Sequence, residues 1–413
     1  DKFSVLARPR FTSTRNDADE TVYSDEIDLT YLQTIDQKNE LAVTQLDLVT
    51  KFESGNITHD LVFGGEYYRE KQTNYGLVDN TVLSHESTPY NNPVAPTFTG
   101  AVERNGTSTV ATGTGKALYV LDTITIGEHW LATAGIRFED YTAKGDAQFW
   151  ERINDAWQRT PVKDVKASGT FTSYNASIAY KPNEDTNIYF GYANSQDPNG
   201  GRLSFTSSTK EQLLDTSTVK PEEAKSYELG AKWELFDERL LISTAAFLTE
   251  KSVLDRDSDR IYGIAGEREV KGFEFSLTGE ISDDLSIIAS YTHQKGKIIK
   301  DYTVESIGNG LTSTPEDTAN VWVSYVATSN LTIAGGAQYN SGDIYWRRNR
   351  AYFDTGSVVL VNAMASYEVN SALTLQLNID NLTDKEYLTD YSARGHFLPG
   401  AERNVKLGVT YQF

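Results

Sequence analysis

Seven times along its 413 residues this chain repeats one unit: two stretches of strict period-two alternation joined by a short polar turn, then a longer connection. The C-terminal stretch shows the pattern most plainly. Arg403, Val405, Leu407, Val409, Tyr411 and Phe413 fall on one face, and Asn404, Lys406, Gly408, Thr410 and Gln412 on the other. Leu373, Leu375, Leu377 and Ile379 alternate in the same way with Thr374, Gln376, Asn378 and Asp380. Successive side chains on a strand point to opposite faces, so each such strand carries one apolar and one polar wall. Upstream, Tyr227, Leu229, Ala231, Trp233 and Leu235 oppose Ser226, Glu228, Gly230, Lys232 and Glu234. Phe273, Phe275, Leu277 and Ile281 oppose Glu274, Ser276, Thr278 and Glu280, and Tyr174, Ala176, Ile178 and Tyr180 alternate likewise.

Two architectures bury an apolar wall of this kind: a soluble sandwich, or a barrel whose apolar wall faces lipid and whose polar wall faces a wet lumen. The connections decide between them. Tight turns rich in Gly, Asn, Asp and Ser lie at 53–56, 127–129, 182–185, 236–238, 282–284, 328–330 and 370–372, as hairpins require. Long connections alternate with them at 73–113, 144–167, 197–220, 254–264, 300–315, 343–355 and 385–401. Short turns on one side and long loops on the other are the asymmetry of an outer-membrane barrel. Mid-strand charges such as Glu228, Lys232 and Glu274 are costly in a dry core and cheap against a water-filled lumen. Aromatics near strand ends, among them Tyr67, Tyr68, Trp130, Tyr141, Tyr192, Tyr291, Tyr339, Tyr367 and Tyr411, suit interfacial girdles. The expected fold is an all-β, antiparallel transmembrane β-barrel of the bacterial outer membrane. This chain supplies about 16–17 strands as one domain over residues 1–413. Bacterial single-chain barrels close with an even number of strands, so either the stretch near 2–14 does not span or strands precede Asp1.

Composition narrows function more by exclusion. There is no Cys, which removes disulfide scaffolds, thiolate metal sites and cysteine nucleophiles. No run approaches 18 apolar residues and mean hydropathy is −0.46, so no helix crosses a membrane, a test that says nothing about strands. A net charge of −20 argues against nucleic acid, which calls for a basic stripe. No basic, apolar leader stands at Asp1, so a targeting segment is expected before this numbering begins.

Several segments together resemble TonB-dependent siderophore receptors. They are VKPEEAKSYELGAKWELFDERLLISTAAFLTEK (219–251), EREVKGFEFSLTGEIS (267–282), NIDNLTDKEYL (378–388) and PGAERNVKLGVTYQF (399–413). Earlier, KFESGNITHDLVFGGEYYRE (51–70) and GIRFEDY (135–141) fit the same family. Within it the chain is most similar to ferric-catecholate receptors. The resemblance implies a 22-stranded barrel around an N-terminal plug that TonB grips. It also implies ferric siderophore as ligand, the TonB–ExbB–ExbD complex as partner, no cofactor and no enzymatic activity. Counting back from Phe413 puts the first segment near the sixth strand, so the plug and about five strands are expected outside this sequence. Phe413, with Tyr411, Val409 and Leu407 on its face, resembles the signal read by the barrel-assembly machinery, and is equally an ordinary lipid-facing strand end.

A receptor for large, aromatic, anionic chelates needs arginine forks and aromatic faces at its outer mouth. The loop DIYWRRNRAYF (343–353) offers Tyr345, Trp346, Arg347, Arg348, Arg350 and Tyr352, a local reversal of sign in an acidic chain that can focus an anion there. The same arginines would equally bind outer-membrane lipid and lipopolysaccharide phosphates, or pair with acidic loops. Arg394 and His396, with Phe397, form a second candidate; Arg202 and the pair Trp150 and Arg152 are weaker. Asp255, Asp257 and Asp259 begin like a calcium loop, but Arg260 and Gly266 stand where Gly and Glu are required. His59, His85, His129, His293 and His396 are scattered without metal-ligand spacing. The Gly- and Lys-bearing run at 112–116 precedes a strand, so it is no phosphate loop. A passive diffusion porin, with 73–113 as an in-folded constriction loop bearing Asp79, Glu86 and Glu103, is the alternative from another class. A haem or vitamin receptor of the same fold is a third.

Overall fold

The computed structural model describes residues 8–12, 26–33, 36–79, 82–83, 87–89, 98–100, 102–153, 156–197, 220–256, 262–347, 350–391 and 397–413. Fifteen strands make one continuous sheet in which each pairs antiparallel with the strand before and after it. In order these are β1 (Gln37–Ser54), β2 (Ile57–Asp79), β3 (Val102–Ile126), β4 (Trp130–Ile153), β5 (Ala156–Asn183), β6 (Thr186–Asp197), β7 (Glu222–Leu235) and β8 (Leu240–Arg256). They continue as β9 (Tyr262–Ser282), β10 (Leu285–Lys300), β11 (Asp317–Thr328), β12 (Leu331–Asn340), β13 (Val358–Asn370), β14 (Leu373–Asp380) and β15 (Asn404–Tyr411). Among the described residues the wall itself holds fifteen strands, against the expected sixteen or seventeen. Arg8–Thr12, Glu26–Gln33 and Ser87–Pro89 pair into a separate three-stranded sheet. Alternation shows that a segment is extended; it does not show which neighbour it joins.

All seven tight turns stand where the sequence puts them, closing β1–β2, β3–β4, β5–β6, β7–β8, β9–β10, β11–β12 and β13–β14. The opposite ends differ from expectation. Residues 73–79 and 102–113, expected in a long loop, are wall strand paired up to Asp79↔Val102. Residues 144–167 are strand except at 154–155, which lie outside the described residues. Above the lipid both faces of a strand are wetted, so the apolar alternation fades there while the backbone pairing continues. The constriction loop on which a porin would depend thus loses both its flanks to the wall.

The register fixes the faces. One row across β1–β5 reads Leu48, Phe63, Val120, Ile136, Tyr174; the row beside it reads Asp47, Gly64, Tyr119, Arg137, Ser173. The first face exposes large apolar side chains, including Leu46, Leu48, Phe63, Leu118, Phe138 and Tyr174. It continues through Phe190, Leu229, Phe273, Val321, Ile333, Val405, Leu407 and Val409. This outward face is stable only against lipid, where a fully paired backbone leaves no donor unsatisfied. Aromatics collect on it: Tyr174, Tyr192 and Tyr227 lie in file with ring centroids 5.7 and 4.9 Å apart, and Trp130 packs on Tyr180 at 4.8 Å. The inward face carries Glu228, Lys232 and Glu274, as their mid-strand positions require.

Candidate functional site

Two structures on the wall can act on something passing it: a polar network lining the inward face of β1–β5, and the hairpins rising from β12 and β14. The network centres on Arg137 of β4. Its Nη2 donates to Glu66 Oε1 at 2.9 Å and meets Glu139 Oε2 at 3.0 Å, and the guanidinium lies 5.6 Å from the Tyr119 ring centre. Glu139 also accepts from Tyr68 Oη at 3.2 Å. Tyr119 Oη donates to Asp47 and accepts from Gln45 Nε2 at 2.8 Å. Gln45, Glu66, Tyr119, Arg137, Ser173 and Asn175 line an open cavity of about 350 Å³. With Asp47, Glu66 and Glu139 against one arginine, this stretch of lumen is acidic.

One packing motif recurs on the inward face. The rings of Tyr119, Tyr68 and Tyr189 each lie over the glycine directly opposite, Gly64, Gly115 and Gly230, where any Cβ would strike the ring. Each hydroxyl then reaches a carboxylate: Asp47, Glu139 and, at 2.6 Å, Glu228. The Lys232 ammonium stands 5.6 Å from the Tyr189 ring centre. A glycine gives the aromatic a seat on the sheet, and the phenol satisfies an acceptor that would otherwise need water.

Farther out, β2 and β3 rise past this network to Arg104, which lies 3.6 Å from the Tyr75 ring centre and clamps Asp36 through Nε at 2.5 Å and Nη2 at 3.1 Å. The hydrogen bond from Arg104 to Asp36 raises the arginine's pKa above its ordinary value.

The arginine-rich segment forms a hairpin of its own, Ile344–Arg347 against Arg350–Asp354, inserted between β12 and β13. Its base is tied by Asp343 N to Thr355 Oγ1 at 2.8 Å, Gly342 N to Asn340 Oδ1 at 2.8 Å and Gly356 N to Asp354 Oδ1 at 2.8 Å. Tyr345 is buried and sits opposite Phe353; Arg347 sits opposite Arg350. Only the backbone is described for Trp346, Arg347, Arg350 and Tyr352, and Arg348 lies outside the described residues. Arg394 and His396 lie outside them too, between the paired strands Leu388–Tyr391 and Phe397–Pro399. Arg202, Asp257 and Asp259 are also outside; Trp150, Arg152 and Asp255 belong to described strands, by backbone only. No group of three or more His, Asp or Glu able to hold a metal occurs among the described residues.

At the foot of the last hairpin the segment NIDNLTDKEYL shows its structural use. Asn381, buried and at φ 50°, donates through Nδ2 to Lys385 O at 2.9 Å and Ala401 O at 3.0 Å, and accepts from Lys385 N at 2.8 Å. Its own N–H donates to Asn362 Oδ1 at 2.9 Å. Asp384 accepts from Arg403 N at 2.9 Å and pairs with Arg403 Nη2 at 3.2 Å. These contacts fix both ends of 381–403 onto the wall.

The family described as "TonB dependent receptor-like, beta-barrel" matches residues 2–382. The chain belongs to the TonB-dependent receptor β-barrel family. It is 30% identical over 406 residues to the probable TonB-dependent siderophore receptor PiuA of Acinetobacter baumannii, covering 91% of this chain and 53% of that protein. It is 30% identical over 399 residues to the catecholate siderophore receptor Fiu of Escherichia coli K12, covering 92% and 52%. The crystal structure of the Fiu ferric-catecholate import receptor in its closed form matches with a TM-score of 0.82 at 28% identity, over 92% of this chain and 56% of that one. The chain thus spans about half the length of the curated relatives it matches. Family membership places it in the bacterial outer membrane, with the apolar face of β1–β15 against lipid.

Sequence reasoning missed the Arg137 network, although Arg137 and Glu139 alternate on one face within GIRFEDY. Their partners Glu66 and Tyr68 lie 71 residues away in sequence, and only the register brings them together.

Proposed function

We propose that this chain is the barrel wall of an outer-membrane receptor that captures and imports a ferric siderophore of the catecholate class. In the intact protein, import is energised through TonB acting on a plug. The observation that carries this reading is the likeness to Fiu, a catecholate receptor, at 28% identity and a TM-score of 0.82 over 92% of this chain. The arginine hairpin at 344–354 is the proposed capture element. Two opposed arginines flanked by Trp346 and Tyr352 offer planar forks and ring faces to an aromatic anion. Arg394 and His396 complete it from the neighbouring hairpin.

The test is equilibrium binding of a ferric catecholate to the intact receptor and to its Arg347→Ala/Arg348→Ala/Arg350→Ala variant. The variant should stay folded and bind at least about tenfold more weakly, a change of about 1.4 kcal/mol. Unchanged affinity in a folded variant would remove the hairpin from the site. Failure of the wild type to bind any ferric catecholate would remove the substrate class.

A further inference from the structure

The outward face of β2–β5 carries a feature that chelate import does not use. Just above its apolar rows the residues turn basic. Tyr67 pairs with Lys116, Arg69 with Thr114, and Lys71 with Thr112; beside them Thr112 pairs with Lys144, and Lys144 with Lys166. Arg69, Lys116, Lys144 and Lys166 are exposed on the same face as Leu118 and Phe138.

Strands lie about 4.8 Å apart and alternate residues about 7 Å apart along a strand, so these five cations fall within a patch roughly 14 Å across. Glu40 pairs with Lys38 at 3.1 Å and Lys71 at 3.7 Å. Asp140 stands opposite Lys116, and Asp146 follows Lys144 on the same face. Even so, Arg69, Lys116, Lys144 and Lys166 form no ion pair among the described residues. Lys144 and Lys166 face each other directly across the sheet, an arrangement that is destabilising unless an anion screens it.

A second lysine pair on the outward face provides the contrast. Lys271 stands opposite Lys295, in line with Phe273 and His293. There Lys271 meets Glu269 at 3.1 Å and Lys295 meets Glu316 at 3.7 Å. Both lysines there are paired; of the five β2–β5 cations only Lys71 is, among the described residues.

We infer that the outward face of β2–β5 binds the phosphorylated headgroup of an outer-leaflet glycolipid, lipopolysaccharide in a Gram-negative envelope. Two complementarities point to a lipid rather than to free phosphate. The cations take the headgroup phosphates, and the rows directly below them, Leu46, Leu118, Phe138 and then Leu48, Phe63, Val120, Ile136, receive the acyl chains on the same face. Long basic side chains at this level also lay their stems on apolar surface while their charges reach the headgroup plane. The inference depends on the barrel's place in the outer membrane and not on which chelate it imports.

The experiment uses the intact receptor in detergent. Thermal unfolding is followed after adding purified lipid A, enzymatically dephosphorylated lipid A, or inorganic phosphate. Glycolipid retained through detergent exchange is measured on wild type, on Arg69→Gln/Lys116→Gln/Lys144→Gln/Lys166→Gln, and on the control Lys271→Gln/Lys295→Gln. Lipid A should stabilise the wild type while its dephosphorylated form and inorganic phosphate should not. The quadruple variant should retain about tenfold less glycolipid or lower, and the control should match wild type. Equal stabilisation by dephosphorylated lipid A overturns the proposal with no variant needed. So does a folded quadruple variant that retains as much glycolipid as wild type, or a loss equally large in the control.

Discussion

Strands β2 to β5 run 23, 25, 24 and 28 residues, whereas β11 to β15 run 12, 10, 13, 8 and 8. A tilted strand crosses the hydrocarbon in about 9–11 residues, so the second group ends near the membrane surface and the first continues well beyond it. The two sides solve one problem differently. On the tall side the wall keeps its own backbone pairing into water; level with the lipid its lumen face is braced by Arg137 between Glu66 and Glu139 and by Tyr119 over Gly64, and at its upper end Arg104 clamps Asp36. On the short side the wall stops, and separate hairpins are bolted to its rim through backbone-directed contacts of Asn340, Asp354, Asn381 and Asp384. Height comes from continuous backbone pairing, while the hairpins on the short side are held at their feet.

The contrast can be broken first at Arg137. Arg137→Ala leaves Glu66 and Glu139, 22% and 12% exposed, without their cation. The barrel should lose about 3 kcal/mol, the low end for a broken buried pair because the arginine itself is 31% exposed. Denaturant unfolding monitored by heat-modifiable gel mobility reads this directly. A loss no larger than that of a surface pair would mean that β1–β5 stand on backbone pairing and their lipid face without the lumen network.

Asn381→Ala should cost about 2 kcal/mol, since it strips several hydrogen bonds from one buried position. Its signature is local: limited proteolysis should speed up at 385–401 and stay unchanged at 80–101. Equal acceleration at both would show that the two sides are not independently held.

Arg403→Ala sharpens the comparison from below. Its ion pair with Asp384 is about half exposed on both partners, so the change in stability should stay under about 1 kcal/mol. The backbone N–H of residue 403 would still reach Asp384. A larger loss would shift the hairpin's anchoring from backbone to charge.

Much of this is legible in the sequence. Alternation assigns Glu228, Lys232 and Glu274 to the lumen and Val405, Leu407 and Val409 to lipid, and short polar stretches locate every tight turn. What stays hidden depends on register. Above the membrane both faces of β2–β5 are polar, so nothing in 73–79 or 102–113 distinguishes strand from loop. The basic patch is invisible as a motif because Arg69, Lys116, Lys144 and Lys166 are spread over four strands. The arginine hairpin is the reverse case, conspicuous as a run of residues and structurally a small appendage.

The tyrosine-on-glycine seats have one more consequence, for how the sheet avoids misalignment. A strand that slips by one residue exchanges lipid and lumen faces and is rejected at once by the hydrophobic pattern. A slip of two preserves both faces, and alternation is blind to it. Such a slip would set Tyr119 against Val62 or Glu66 instead of Gly64, and Tyr189 against Glu228 or Lys232 instead of Gly230. In each case a side chain occupies the space the ring needs. The glycines thus act as alignment marks, letting an all-neighbour meander detect the one kind of error that its binary pattern permits.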